Sequence, residues 1–185
     1  MLSFTGFALI IKAMKDELIY HGMIFDIVSF EPVINGHTHH YEVLRHHGGV
    51  GLLCVQDDSV LLVKQMRYAI GQETLEIPAG KLEKGEDALE AGLRELNEEA
   101  GYECEKTKLV CAFYPTPGYS DEKIWIYECL GLHAAKNKLP QDQDENVRPF
   151  WMPLAKARKA IADGRIVDGK TIIAIQHALL QERND

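Results

Sequence analysis

Apolar runs separated by short polar turns fill residues 18 to 67 and predict strands. Ile24–Phe30 and Tyr41–Arg45 flank Asn35-Gly36, a dipeptide suited to the left-handed backbone of a tight hairpin turn. Val50–Val55 and Val60–Gln65 flank Asp57-Asp58 and predict a second hairpin, with the apolar runs of buried strands. A stretch rich in Gly and Pro, Ala69 to Gly85, reads as a loop. A helix is expected from about Asp87 to Ala100, closed by Gly101 as its C-terminal cap. Strands return at Lys108–Tyr114 and Lys123–Leu130, on either side of Pro115-Thr116-Pro117-Gly118. After the acidic stretch Gln141–Asn146, the pattern predicts a strand near Val147–Met152 and helices over Leu154–Ala162 and Thr171–Gln181. The expected fold class is mixed α/β, with strand-rich segments enclosing one strongly marked helix.

That helix carries the chemistry. At about 100° per residue, Leu89, Leu93 and Leu96 fall within about 60° of one another, predicting a narrow apolar stripe. Glu95, Glu98 and Glu99 crowd an arc of about 100° that faces away from the leucines. Arg94 stands one turn before Glu98 and is the one cation close to three acids. Glu95 and Glu99 are like charges at i,i+4, an arrangement that costs a helix a few tenths of a kcal/mol. Two readings follow from the residues alone: a solvated acidic face, or a site for a hard divalent cation such as Mg²⁺ or Mn²⁺.

Charge sharpens the choice. The 185 residues include 20 Lys and Arg against 28 Asp and Glu, a net of −8. No basic stripe exists for a nucleic-acid backbone, and an anionic substrate would need a cation's help. Cys54, Cys104, Cys111 and Cys129 form no CxxC pair, so they read as reduced thiols of a cytoplasmic protein. No apolar run approaches the roughly 18 residues of a membrane span, and no secretory signal is expected. Met14, followed by Lys-Asp-Glu, would make a natural start, so residues 1–13 are expected to be dispensable.

What precedes the helix completes a pattern. Gly80, Glu86, Arg94, Glu95, Leu96, Glu98, Glu99, Gly101 and Tyr102 stand in order over 23 residues. They resemble the Nudix box, Gly-x5-Glu-x7-Arg-Glu-aliphatic-x-Glu-Glu-x-Gly-aliphatic. The single departure is Tyr102 in the last, aliphatic slot. The resemblance implies an α/β/α sandwich with a mixed sheet over residues 48–185, preceded by an antiparallel β segment over 1–47. It also implies hydrolysis of a nucleoside diphosphate linked to another group. Glu95 and Glu99 would be the principal ligands of a divalent cation, Mg²⁺ or alternatively Mn²⁺. Glu98 would be a further ligand or a base, the main-chain carbonyl of Ala79 would complete the site, and Arg94 would orient Glu98.

The resemblance continues outside the box. Gln65-Met66-Arg67 and Leu75-Glu76-Ile77-Pro78-Ala79-Gly80 are similar to a segment of the ADP-ribose pyrophosphatases. Pro117, sixteen residues past Gly101 and followed by Gly118, is similar to that subgroup's marker. The implied reaction gives AMP and ribose 5-phosphate, with GDP-mannose and other nucleoside diphosphate sugars as the rival substrates. A nucleotide-sensing module is the reading from a different class.

Within that resemblance Arg67 would hold a phosphate, and Glu76 would accept from adenine or ribose or else brace its loop. Pro117 and Gly118 would wall the terminal ribose, and Glu122 is a weaker candidate beside it. Glu145, in the acidic loop, competes with Glu98 as the base. The N-terminal strands would pair with a second subunit, making a homodimer, and bring Met23, Ile24, Phe25 or Phe30 to the base. His37, His39, His40, His46 and His47 read as turn-exposed residues, and Gly48-Gly49-Val50-Gly51 precedes a strand, so it is not a phosphate loop.

Overall fold

The computed structural model describes residues 15–141 and 147–181. Contacts divide the chain into two compact units: the residues up to His47 with Thr116–Glu122, and Gly48–Pro115 with the chain from Lys123 onward.

In the first unit, β1 (Glu17–His21), β2 (Phe25–Phe30) and β5 (Tyr41–His46) form an antiparallel sheet in the order β1-β2-β5. The Asn35-Gly36 turn takes positive φ at both residues, 53° and 81°. It closes a two-residue ladder of β3 (Val33–Ile34) with β4 (His37–Thr38), a small hairpin at the tip of the larger one. Every residue of β1 is exposed, whereas Val28 and Ser29 of β2 are buried. The segment Thr116–Glu122 is knitted to β5. Leu44 N–H donates to Tyr119 O at 2.8 Å, and Asp121 N–H returns to Leu44 O at 3.1 Å. Arg45 forks onto Asp16 at 3.0 and 3.2 Å and reaches Asp121 at 3.3 Å.

In the second unit, β6 (Gly49–Gln56) and β7 (Ser59–Arg67) make the expected hairpin. Asp57 and Asp58 both take positive φ in its turn, 47° and 54°. With β8 (Gln72–Glu76), β9 (Ala79–Lys81), β10 (Tyr102–Phe113), β11 (Ile124–Ala134) and β12 (Arg148–Pro153) they form a seven-stranded mixed sheet. Its main path runs β10-β11-β6-β7-β12, with β8 on β7, β9 on β6, and one parallel pair, β11 with β6. The expected loop from Ala69 to Gly85 thus contains two strands. They hold only five and three residues, too few for a period-two pattern to show between the Gly and Pro punctuation.

Among the described residues three helices cover the sheet. Helix α1 (Ala88–Glu95) continues as a wider π turn over Leu96–Ala100, α2 spans Leu154–Ala162, and α3 spans Gly169–Gln181. Side chains of β6 alternate between two cores, as a pleated strand buried on both faces must. Val50, Leu52 and Cys54 pack with Ala88, Ala91 and Leu96. Leu53 packs with Leu62, Ile126, Ala157, Ala174 and Ile175. Helices lie on both faces, which is the expected α/β/α sandwich.

One expectation about α1 is overturned. Its buried face is Ala88, Ala91, Gly92, Glu95, Leu96 and Glu99, while Leu89 and Leu93 are only half-buried. Small residues let the helix axis approach the sheet. A Cβ on Gly92 would lie 2.7 Å from Leu52 Cδ2 and 2.9 Å from Val50 Cγ2, so any larger residue there would force these packed side chains to shift. Close packing therefore selects the small side of the helix, and that side carries Glu95 and Glu99 inward.

Candidate active site

The acids are positioned by the end of α1 and by the chain just ahead of it. Asp87 caps the helix, accepting from Leu89 N–H at 2.9 Å and Glu90 N–H at 3.1 Å. Gly101, with φ at 71°, ends the π turn, whose wider coil carries Glu98 and Glu99. Glu95 is 8% exposed and Glu99 1%. A Cβ on Gly80 would fall inside the Glu95 carboxyl group, which explains the glycine at the start of the box. Next to it, Ala79 N–H donates to Glu99 Oε2 at 2.9 Å.

Arg94 is shared. Its Nη1 lies 2.7 Å from Glu98 Oε2 and 3.0 Å from Glu95 Oε1, and its Nη2 lies 3.6 Å from Glu86 Oε1. Burial works against the charged guanidinium, but Glu95 and Glu98 outweigh it and hold its pKa above the ordinary value. Glu86 also accepts from Glu83 N–H at 2.9 Å, tightening the loop ahead of the helix. As the side chains stand, no three carboxylate, imidazole or thiolate groups among the described residues meet closely enough to hold a metal ion. Glu98 is drawn to Arg94 and Glu99 to Ala79. The donor set nonetheless suits a hard divalent cation: three carboxylates within five residues, two of them buried, with three anions sharing one guanidinium. The histidines that cluster in sequence make no such group either, and His40 lies beside Glu31 and Glu42.

A second charged cluster sits on β7, β8 and α3. Glu76 is 2% exposed and accepts a two-pronged pair from Arg67, 2.7 Å from Nε and 2.6 Å from Nη2. Thr74 Oγ1 donates to it at 2.6 Å and Lys170 Nζ at 2.5 Å. Burial pushes the Glu76 carboxyl up. Arg67 and Lys170 overcome that and bring it down to about 2. The same pairing raises Arg67, against the effect of its own burial. Lys170 and Asp168 were not legible as site residues in the sequence. One signal was present: a lysine in the first turn of a helix opposes the helix dipole, so it calls for an acidic partner elsewhere.

The remaining candidates lie elsewhere. Pro117, Gly118 and Glu122 belong to the first unit, where Glu122 N–H donates to Ser120 Oγ at 3.1 Å and its carboxylate lies 3.8 Å from His46 Nδ1. Glu145, like residues 1–13, falls outside the described residues.

Comparison with known proteins assigns the class. The NUDIX domain family model matches residues 45–173, and the chain belongs to that family, whose members generally use divalent metal ions. The methanol dehydrogenase activator of Bacillus methanolicus is 39% identical over 173 residues, 92% of this chain and 94% of that protein. The ADP-ribose pyrophosphatase of Bacillus subtilis (strain 168) is 36% identical over the same lengths and shares. A crystal structure of an ADP compounds hydrolase superposes with a TM-score of 0.79 over 92% of both chains at 20% identity, a likeness of fold.

Proposed function

We propose that this chain hydrolyses the pyrophosphate bond of ADP-ribose to AMP and ribose 5-phosphate, with Mg²⁺ held by Glu95, Glu98, Glu99 and the Ala79 carbonyl. The observation that carries the reading is the burial of Glu95 and Glu99 against Gly80 and Ala79. Carboxylate oxygens gathered beside a main-chain carbonyl are the donors that a hard divalent cation prefers. When bound, the ion offsets charge on the phosphate oxygens and acidifies a water.

The chain's own groups do the rest. Arg94 fixes the direction of Glu98 and Glu95. Arg67 keeps two-fifths of its side chain exposed while Glu76 locks its plane, which supports it as the cation for a substrate phosphate, with Glu76 as its brace. Glu145 is the base in this reading, because Glu98 already gives an oxygen to Arg94. Pro117 and Gly118 wall the ribose, with Glu122 beside them.

Two copies pair through the first unit in this proposal. Leu18, Ile19 and Tyr20 of β1 are each more than half exposed, and β1 forms an edge of its sheet. Met23, Ile24 and Phe25 line a cavity of about 450 Å³ in the same unit, which supports their contact with the base. A monomeric mass by light scattering at micromolar concentration would overturn the dimer. The four cysteines are unpaired, and no described helix is long and apolar enough to cross a membrane, which supports the cytoplasm as its place.

The test is phosphate release in a coupled phosphatase assay, with Mg²⁺ and then Mn²⁺. The substrates are ADP-ribose, GDP-mannose, NADH, diadenosine polyphosphates and 8-oxo-dGTP. Preference for ADP-ribose is expected. Preference for GDP-mannose would move the substrate and keep the metal site; silence throughout would support the sensing module.

A further inference from the structure

The segment Glu76-Ile77-Pro78-Ala79-Gly80 is pinned at every residue. Glu76 is held by Arg67, Thr74 and Lys170. Ile77 N–H donates to Thr171 Oγ1 at 2.9 Å, and Pro78 O accepts from Leu52 N–H at 2.8 Å. Ala79 N–H binds Glu99, and the Cα of Gly80 lies under the Glu95 carboxyl group. One end of the segment therefore touches the first turn of α3, and the other touches the two buried acids of the box.

The α3 end is itself rigid. Asp168 accepts from Thr171 N–H at 3.0 Å and Thr171 Oγ1 at 2.6 Å, and from Lys170 Nζ at 3.0 Å. Thr171 is wholly buried, and the Lys170 side chain is 10% exposed. The ammonium is locked between two carboxylates from different parts of the chain, Glu76 and Asp168. A surface lysine at this position of a helix would oppose the dipole and gain little.

We propose that Lys170 and Thr171 are positioning residues for the divalent cation, setting Ala79, Glu95 and Glu99 through the five-residue segment between them. This rests on the reading of Ala79, Glu95, Glu98 and Glu99 as the cation's holders. Groups that hydrogen-bond a metal's ligands typically change its affinity ~10–100-fold, and residues acting through an intervening segment should reach the lower end of that range. Lys170 binds Glu76 and Asp168, and Thr171 binds Asp168 and the Ile77 N–H. Their effect is transmitted by backbone position.

The probe is Mn²⁺ alone, titrated into the full chain and followed by electron paramagnetic resonance. Lys170→Met removes the charge, Thr171→Val removes the hydroxyl and keeps the shape, and Thr171→Ser restores the hydroxyl. The expected result is Mn²⁺ binding weakened ~10-fold in Lys170→Met and Thr171→Val and recovered in Thr171→Ser. At saturating Mn²⁺ the KM of Thr171→Val for ADP-ribose should stay within about twofold of wild type while kcat falls. Wild-type Mn²⁺ affinity in the two weakened variants, with only thermal stability lost, would overturn the proposal. A changed KM at unchanged Mn²⁺ affinity would also overturn it, by making Lys170 a substrate contact. If Lys170→Met does not fold, the Thr171→Val and Thr171→Ser pair decides. If the wild type itself binds no Mn²⁺, the reading of the site fails with it, a result distinct from equal binding by all variants.

Discussion

The carboxyl group of Glu95 lies over the Cα of Gly80, in the space that a Cβ would occupy. The box glycine is therefore a matter of volume as well as of turn geometry. Gly80→Ala should push Glu95 out of place and leave the sheet intact. A misplacement of about 1 Å at a reacting centre can cost ~100-fold in rate, and a loss of that order is expected in kcat. Steady-state kinetics beside a melting curve checks this. Unchanged activity would show that the seat of Glu95 over Gly80 does not matter to the reaction.

Glu98 and Glu145 give opposite expectations for the base. With Glu98 committed to Arg94 at 2.7 Å, Glu98→Gln should lower metal affinity and leave the shape of the pH–rate profile intact. Glu145→Gln should flatten the acid limb of the profile, since that limb reports the proton on the base. Removing a general base typically costs ~10²–10⁴-fold. Profiles of kcat/KM for the two variants decide between them, and a flattened limb in Glu98→Gln alone would reverse the assignment.

The acids were legible in the sequence because their spacing is local: all lie within one helix and its approach. Their facing was not. Periodicity weights Leu89 and Leu93 equally with Leu96 for their size, whereas the sheet buried Leu96 together with the small Ala88, Ala91 and Gly92. Strands β8 and β9 were hidden by brevity inside a punctuated stretch. Lys170 was hidden by distance, since its partner Glu76 is 94 residues away and leaves no pattern beside it. The hairpins and the two C-terminal helices, set by nearest-neighbour chemistry, were read within a few residues.

The thiols should be inert in the folded chain. Burial and the neighbouring Cys129 push Cys104 up to about 12, and burial raises Cys111. Cys129 is raised by its hydrogen bond to Cys54 and by burial. The thiolate is the reactive form, so a thiol pushed up to about 12 stays protonated at pH 8 and reacts slowly. Labelling with a chromogenic disulfide reagent should be slow in buffer and complete in denaturant. Fast labelling of Cys104 in buffer would contradict the structure.

Glu76 predicts how the fold responds to acid. Its carboxyl titrates near 4.5 when unpaired and about 2 in the native chain. Between those values the unfolded chain binds the extra proton, so folding loses stability as pH falls. The contribution is fully present above about pH 4.5 and is lost as pH approaches 2. At about 1.4 kcal/mol per unit it amounts to ~3 kcal/mol. Glu76→Gln should abolish this part of the pH dependence. It should also destabilise the chain at pH 7 by roughly 3–5 kcal/mol, because Arg67 and Lys170 lose their shared buried partner. Urea unfolding of wild type and variant between pH 7 and pH 3 measures both effects. Parallel curves for the two proteins would show that the Arg67–Glu76–Lys170 cluster does not govern acid stability.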